Sequence, residues 1–128
     1  MTLSDFLLAR ITEDETVAQV AIRTTAAEWV DCGSRLLGKS GEPNVFDVGF
    51  AEVTSGRYEA ALAHIARHDP AHVLAECEAK RRIVEFHGPT AEPDPLCSVC
   101  NVAYPCETPV LLALPYASHR HYREGWRQ

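Results

Sequence analysis

Three cysteines lie within ten residues of each other, at Cys97, Cys100 and Cys106. A two-residue gap lets a tight turn aim two sulfurs at one point, and a structural zinc ion needs four nitrogen or sulfur ligands in a tetrahedron. Asn101 follows the second cysteine, where such a turn often needs a positive φ that Asn tolerates. The spacing therefore predicts part of a structural Zn²⁺ site.

The fourth ligand of this site is predicted from the order of the elements. A helix should end at His87, and Gly88-Pro89 then breaks the helix and lets the chain return toward the cysteines. We therefore predict His87 as the fourth ligand, with His64, His68 or a histidine near the C-terminus as alternatives. Three cysteines and one histidine make a closed coordination shell, so the ion would be structural.

Other interpretations of the cysteines are a redox pair, a disulfide and ordinary buried thiols. A thioredoxin-type pair should lie between a strand and a long helix, whereas Cys97 follows the Pro-rich segment 92–95. The N-terminus has neither the basic stretch nor the apolar segment of a secretory signal, so we expect a cytoplasmic protein with reduced thiols. Cys32 and Cys77 are expected to be small core residues.

Length and charge limit the class of protein. A chain of 128 residues with 46% hydrophobic residues is expected to form a single domain, 1–128. No apolar stretch approaches a membrane span, so no membrane partner is expected. The net charge of −6 argues against nucleic-acid binding through a basic face, and another protein is the expected partner.

The two ends of the chain differ in charge. The first half contains the acidic run Glu13-Asp14-Glu15, while the tail from His119 to Arg127 is basic and aromatic. Such a tail could stack on bases and grip phosphate, which makes it the candidate nucleic-acid contact. The favoured alternative is that it folds back and packs its aromatic residues against the domain: Tyr116, Tyr122 and Trp126.

The predicted fold is α+β, a mostly helical single domain with a small antiparallel β-meander and a zinc-knuckle loop before the last helix. The predicted parts are a helix (4–26), a small sheet (27–53), a helical pair (55–87), the zinc-knuckle loop (88–107), and a short helix with the basic aromatic tail (108–128). The first helix should bury one apolar stripe: Phe6, Leu7, Ile11, Val17, Val20 and Ala21.

Helix boundaries can be predicted from capping residues. Ser55-Gly56 should open the second helix. Asp69 is a good N-cap, and Pro70 suits the first position of a third helix. Thr108 is predicted as the N-cap of the last helix, which would begin at Pro109.

A second histidine pair offers a different chemistry. His64 and His68 are four residues apart, a spacing that can chelate a metal ion on one helical face or support acid–base catalysis beside Asp69. A metalloprotease-type zinc site would need Glu directly after the first His, and Ile65 stands there. A small hydrolase or transferase is therefore an alternative function, and no catalytic residue is assigned.

Five segments of the chain are distinctive in combination: HIARHDPA (64–71), EAKRRIV (78–84), PCET (105–108), LLALPYA (111–117) and YREGWR (122–127). Together they resemble a family of small proteins of unknown function from actinobacteria and their phages. The resemblance extends from Tyr58 onward and includes the helix that begins near Phe6. It implies one domain, an intracellular setting and paired cysteines before the last helix, and it implies no reaction. The family often has Pro after the third cysteine, where this chain has Glu107.

Enzyme signatures are sparse in this sequence. It lacks a Gly-rich phosphate loop, a Gly-x-Ser-x-Gly elbow and a dinucleotide fingerprint. A zinc deaminase would need a His-x-Glu motif upstream of the cysteines, and none exists. The sequence therefore favours a cytoplasmic interaction or regulatory module with a structural zinc site.

Overall fold

The structure is a computed structural model, and it describes residues 1–33, 35–40, 45–47, 56 and 58–127. Its elements, in chain order, are α1 (Leu3–Thr24), β1 (Trp29–Asp31), β2 (Arg35–Gly38), β3 (Phe46–Asp47), α2 (Glu59–Arg67), α3 (Pro70–Phe86) and α4 (Glu107–Ala113). Two 3₁₀ turns follow, at Leu114–Tyr116 and Glu124–Trp126. The predicted α+β class, mostly helical with a small sheet, is confirmed. Within the described residues, no helix is long and apolar enough to cross a membrane.

The strands form the predicted antiparallel meander, in the order β1-β2-β3. Trp29 pairs with Gly38, and Leu36 pairs with Phe46. The remainder of the predicted sheet, at 41–44 and 48–53, lies outside the described residues. The second helix begins at Glu59, after the predicted start at Ser55-Gly56, of which Ser55 is also outside the described part.

The chain divides into two compact units, one formed by Met1–Glu13 with Cys77–Gln128 and the other by Asp14–Glu76. The core of the Asp14–Glu76 unit contains Leu36 and Leu62, which are almost fully buried. Five partly buried side chains pack against them: Trp29, Val45, Tyr58, Ile65 and Ala66. β1, β2 and α2 of this unit therefore share one apolar core.

Asp69 caps α3 as predicted, and Pro70 occupies the first helical position. The Asp69 carboxylate accepts the backbone N–H of His72 at 2.9 Å, which satisfies one of the free amides at the helix start. It also accepts the backbone N–H of Trp29 at 3.1 Å. The cap therefore fixes both the start of α3 and the start of β1.

The predicted buried stripe of α1 is only half right. Phe6, Leu7 and Ile11 are buried, but Val17 is 70% exposed and Val20 is 48% exposed. The helical periodicity was sound, because residues seven apart share a face. Ala18, seven residues after Ile11, is only 5% exposed, so the buried face continues along the helix, and Val17 and Val20 lie to one side of it.

The prediction for the two isolated cysteines is also half right. Cys77 is buried on α3, as expected. Cys32 is exposed, because it lies directly after β1, where the chain turns toward β2. A small apolar side chain is not buried at such a turn, since connections run over the surface.

The aromatic residues of the tail pack around Phe6, as the favoured alternative predicted. The Phe6 ring centroid lies 5.1 Å from that of Trp126 and 6.0 Å from that of Tyr122. Tyr116 meets the same ring edge-on at 6.5 Å. Such edge-to-face contacts add to the energy of apolar burial. The tail is therefore an integral part of the unit formed by Met1–Glu13 and Cys77–Gln128.

Arg10 and His119 form a polar contact beside this aromatic cluster. The Arg10 guanidinium donates to His119 Nδ1 at 2.9 Å and to Glu13 at 2.6 Å, and its carbon lies 5.3 Å from the Phe6 ring centroid. The backbone N–H of His121 also donates to His119 Nδ1, at 3.1 Å. Because both donors point at Nδ1, His119 is neutral with its proton on Nε2.

Tail docking should weaken in acid. Burial and the nearby Arg10 charge lower the pKa of His119 in the folded protein. The unfolded chain therefore binds more protons, and stability falls as the pH drops through about 6.5 toward the lower folded-state pKa. We expect the urea midpoint, followed by fluorescence of Trp126 in a Trp29→Phe background, to be lower at pH 5.5 than at pH 7.5.

His119→Asn keeps an acceptor for Arg10 but does not titrate, so it should reduce this pH dependence. His121→Asn is the matched control, since His121 is exposed, and it should leave the dependence in place. Equal pH dependence in wild type and His119→Asn would contradict the assignment.

Candidate metal centre

The four predicted ligands come from three places in one unit. His87 directly follows α3, Cys97 and Cys100 lie in the loop that connects α3 to α4, and Cys106 immediately precedes α4. His87 still belongs to the helical hydrogen-bond pattern, because its N–H donates to the carbonyl of Ile83 at 3.0 Å. Its imidazole is therefore carried on a rigid helix end.

The chain reverses at Gly88. A β-carbon at this position would lie 3.3 Å from the carbonyl oxygen of Glu85, which is tighter than ordinary contact. The segment that returns toward the helix end then pairs with residues 88–89. The N–H of Ser98 donates to the carbonyl of Gly88 at 3.0 Å, and Pro89 forms an isolated β-bridge with Cys97. The prediction that Gly88-Pro89 turns the chain back toward the cysteines is confirmed.

A tight turn presents Cys97 and Cys100. The N–H of Asn101 donates to the carbonyl of Cys97 at 2.9 Å, and Asn101 has the predicted positive φ, 56°. Within the turn, the N–H of Cys100 points at the sulfur of Cys97 at 3.4 Å. Outside it, the N–H of Cys97 donates to the carbonyl of Val102 at 2.8 Å, which closes the base of the turn.

The start of α4 differs from the prediction. The helix begins at Glu107, with Cys106 in an extended conformation at the N-cap, so Thr108 is not the cap. Pro109 then occupies the third helical position, which tolerates proline because the first amides of a helix have no intrahelical acceptor. Capping preferences gave the wrong residue because the path of the loop through Cys106 determines where this helix starts.

The four side chains converge. The Nδ1 atom of His87 lies 3.5 Å from the sulfur of Cys97 and 3.4 Å from each of the sulfurs of Cys100 and Cys106. All four ligand atoms lie within 4.8 Å of one another, close enough to hold one metal ion. Within the described part of the chain, no second group of three or more His, Cys, Asp or Glu side chains meets that condition.

The protein itself stabilises one thiolate in this group. Burial raises the pKa of the Cys97 thiol, but hydrogen bonds from backbone N–H groups, and from the side chains of Cys106 and His87, outweigh it and lower the pKa to about 6. The hydrogen bond with Cys97, followed by burial and the charges of the neighbouring sulfurs, raises the pKa of Cys100 to about 11. Three thiolates would therefore repel each other here unless a cation lay between them.

His64, His68 and His72 do not belong to the His/Cys cluster. The His64 and His68 rings lie 4.4 Å apart, and His72 Nε2 lies 3.2 Å from a carboxylate oxygen of Glu76. His68 Nδ1 hydrogen-bonds to the backbone carbonyl of His64 at 2.8 Å, and all three histidines are exposed. Of the alternatives for the fourth ligand, His87 is the residue that lies beside the cysteines.

These features define a small α+β protein with a His/Cys cluster suited to a metal ion. The chain belongs to the family described as "Family of unknown function (DUF6221)", whose model matches residues 1–128. The search of curated proteins and the search of solved structures found no match. The site therefore has to be interpreted from its own geometry.

Asn101 provides a test of how the turn is held. Asn101→Gly should leave the free energy of unfolding nearly unchanged, because Gly adopts positive φ freely. Asn101→Val should lower it by about 1–2 kcal/mol, because a β-branched side chain is strained in this conformation. Urea denaturation followed by circular dichroism measures both. Equal stability of the Val and Gly variants would contradict a turn that requires a positive φ.

Proposed function

We propose that the protein binds one Zn²⁺ ion through His87, Cys97, Cys100 and Cys106, and that this ion stabilises a small interaction module. The observation that carries the proposal is that three sulfurs lie at nearly equal distances from a single imidazole nitrogen. The ion would join the end of α3 to the start of α4 across the knuckle loop, residues 88–107.

The distances agree with tetrahedral zinc. With Zn–S bonds of about 2.3 Å and a Zn–N bond of about 2.05 Å, a tetrahedral angle separates sulfur from nitrogen by about 3.6 Å. The three measured separations are 3.4, 3.4 and 3.5 Å. Thiolate ligands favour soft or borderline ions, and tetrahedral S₃N is a common donor set for structural zinc.

Hydrogen bonding alone explains the arrangement poorly. A neutral or charged imidazole carries at most one proton on Nδ1, so it cannot donate good hydrogen bonds to three sulfurs at once. A common centre between the four atoms accounts for all three distances. The N–H of Cys100 that points at the Cys97 sulfur would then act as an outer-shell donor, of the kind that orients metal ligands.

The ion's role in this proposal is structural. Four protein ligands fill a tetrahedral shell, so no position is open for a substrate. Within residues 88–105 of the knuckle loop, Cys97 is the buried side chain, so a metal would supply cohesion that apolar packing does not. Because the proposed site requires reduced thiols, we propose a reducing compartment such as the cytoplasm.

The interaction role rests on exposed apolar side chains beside this centre. Phe86 is 66% exposed, Val99 is 57% exposed and Val102 is 51% exposed. The carbonyl of Phe86 accepts a hydrogen bond from the Ser98 hydroxyl at 2.6 Å, so this phenylalanine adjoins the cysteine turn. Groups of exposed apolar residues commonly mark protein-binding surfaces. We propose another protein as the partner and treat residues 1–128 as one functional domain, since the family match spans them all.

The other functions considered from the sequence have less support. A hydrolase or transferase needs His64 and His68 to face one cleft. His68 lines a cleft with Trp29 and Val73, but His64 is not among its described lining residues, and one nitrogen of His68 bonds to the backbone of His64. Nucleic-acid stacking by the tail needs free aromatic faces, and those of Tyr122 and Trp126 pack around Phe6.

Elemental mass spectrometry tests the metal proposal directly. Protein purified untagged under reducing, chelator-free conditions should contain about one zinc per chain. Free Zn²⁺ at roughly 1,000 times the Kd stabilises a fold by about 4 kcal/mol, so a strong chelator should lower the Tm by on the order of 10 °C. Affinity should fall at acid pH, because bound thiolates must be deprotonated.

Two substitutions and two matched controls sharpen this test. Cys100→Ser and His87→Ala should each reduce zinc content and remove most of the chelator-dependent change in Tm. Cys32→Ser and His64→Ala change exposed residues of the same types outside the cluster and should behave as wild type. Wild-type protein without metal that melts alike with and without chelator would overturn the proposal.

A further inference from the structure

The Asp14–Glu76 unit contains an apolar cleft with a volume of about 280 Å³. Its apolar walls come from Val17 and Ala21 of α1, Trp29 of β1, and Pro70 and Val73 of α3, and Asp14 and His68 also line it. None of the four candidate metal ligands belongs to this unit. The cleft is therefore separate from the proposed zinc site in both residues and chemistry.

The cleft continues onto uncovered apolar surface. Val17 is 70% exposed, and Val20, one turn further along α1, is 48% exposed. Val17 lies seven residues after Arg10, which is only 8% exposed, so both occupy one face of the helix. That face is covered at Arg10 and open at Val17. An open apolar face of this kind, beside a formed cleft, is suited to a chain longer than a small ligand.

The walls of the cleft are held in place. The indole N–H of Trp29 donates to the carbonyl of Ala26 at 3.0 Å, and its backbone N–H donates to Asp69 at 3.1 Å. The N–H of Ala71 donates to the carbonyl of Ala27 at 2.8 Å, which ties the start of α3 to the segment before β1. A binding segment would therefore meet a preorganised surface, which limits the entropy lost on binding.

The charge of the unit that contains the cleft indicates the sign of the partner's charge. Asp14 lines it, and Glu15 is the next residue of α1. In the whole Asp14–Glu76 stretch, acidic residues outnumber basic ones two to one. This unit is therefore acidic as a whole, so it favours a cationic segment over an anionic one. A second copy of this chain is disfavoured, because each copy carries a net charge of −6.

We infer that this cleft binds a short basic segment of a partner protein, one that inserts a large apolar side chain against Val17 and Trp29 and places Arg or Lys beside Asp14. This inference rests on the proposed interaction role but not on the metal. It names a surface different from the exposed residues around Phe86, so the two surfaces can be separated by experiment.

The probe is a library of random 12-residue peptides displayed on phage and selected against the full chain in its metal-loaded, reduced form. We expect the selected peptides to combine one or two large apolar residues with several Arg or Lys residues. Synthetic versions should shift the indole N–H resonance of Trp29 in NMR spectra, and their affinity should fall as salt is raised, because the charges that attract them are screened.

Two matched substitutions locate the binding surface. Val17→Ser and Val99→Ser make the same uncharged change at exposed valines, the first in the cleft and the second in the cysteine turn. The selected peptides should bind Val17→Ser about tenfold more weakly, because an apolar contact is lost, and bind Val99→Ser as wild type. Asp14→Lys should also weaken binding. Circular dichroism and zinc content, unchanged in all three variants, show that the fold is intact.

The remaining outcomes are distinguishable. Peptides that lose affinity for Val99→Ser but keep it for Val17→Ser would overturn the cleft assignment and leave the interaction role standing. Selected peptides that lack basic residues would overturn the inference about the partner's charge. If no peptide is enriched, the cleft assignment and the interaction role both fail, while zinc content still decides the metal proposal independently.

Discussion

The meeting of one imidazole nitrogen with three sulfurs is the constraint on which the C-terminal part of this protein depends. The segment between α3 and α4 is rich in Pro and polar residues, and its buried side chains are mainly ligands of the cluster. Apolar packing alone would stabilise such a loop weakly. In our proposal a Zn²⁺ ion takes the place of a core. The backbone bonds around Gly88, Cys97 and Asn101 then act as the scaffold that aims the ligands.

The N-terminal helix shows how one sequence pattern can serve two purposes. At its start, the Phe6 ring packs against aromatic rings of the tail, and Arg10 donates a hydrogen bond to His119 beside them. Further along, Val17 remains exposed beside Trp29. The helix thus buries one face along its length, through Ile11 and Ala18, while Val17 beside that face stays exposed.

The proposed metal site and the inferred binding cleft belong to different units of the chain. A closed S₃N site performs no chemistry on a substrate, so any role that depends on it is structural. The cleft, in contrast, is lined mainly by apolar side chains, with Asp14 and His68 among them, and in our inference it binds a partner segment. Together, the two proposals give a small protein that is stabilised in one part by metal coordination and that binds a partner with another.

The sequence alone determined the composition of the site and much of the fold. The Cys97 to Cys100 spacing, Asn101, the Gly88 break and the Asp69 cap are local features, because each depends on the geometry of a few neighbouring residues. Local rules also predicted His87 as the partner of the cysteines. The start of α4 at Glu107 could not be predicted in this way, because the path of the loop through Cys106 overrides the preference of Thr108 for a cap.

Only the tertiary structure decided which apolar surfaces are covered. Val17, Val20 and Cys32 have the residue types and periodicity of a core, yet they are exposed, whereas the basic tail packs its rings around Phe6. Burial depends on segments distant in sequence, and a residue's own period carries no information about them. Three sulfurs at nearly equal distances from one nitrogen are likewise a property of the folded chain, since a spacing indicates which residues can meet and only the fold brings them together.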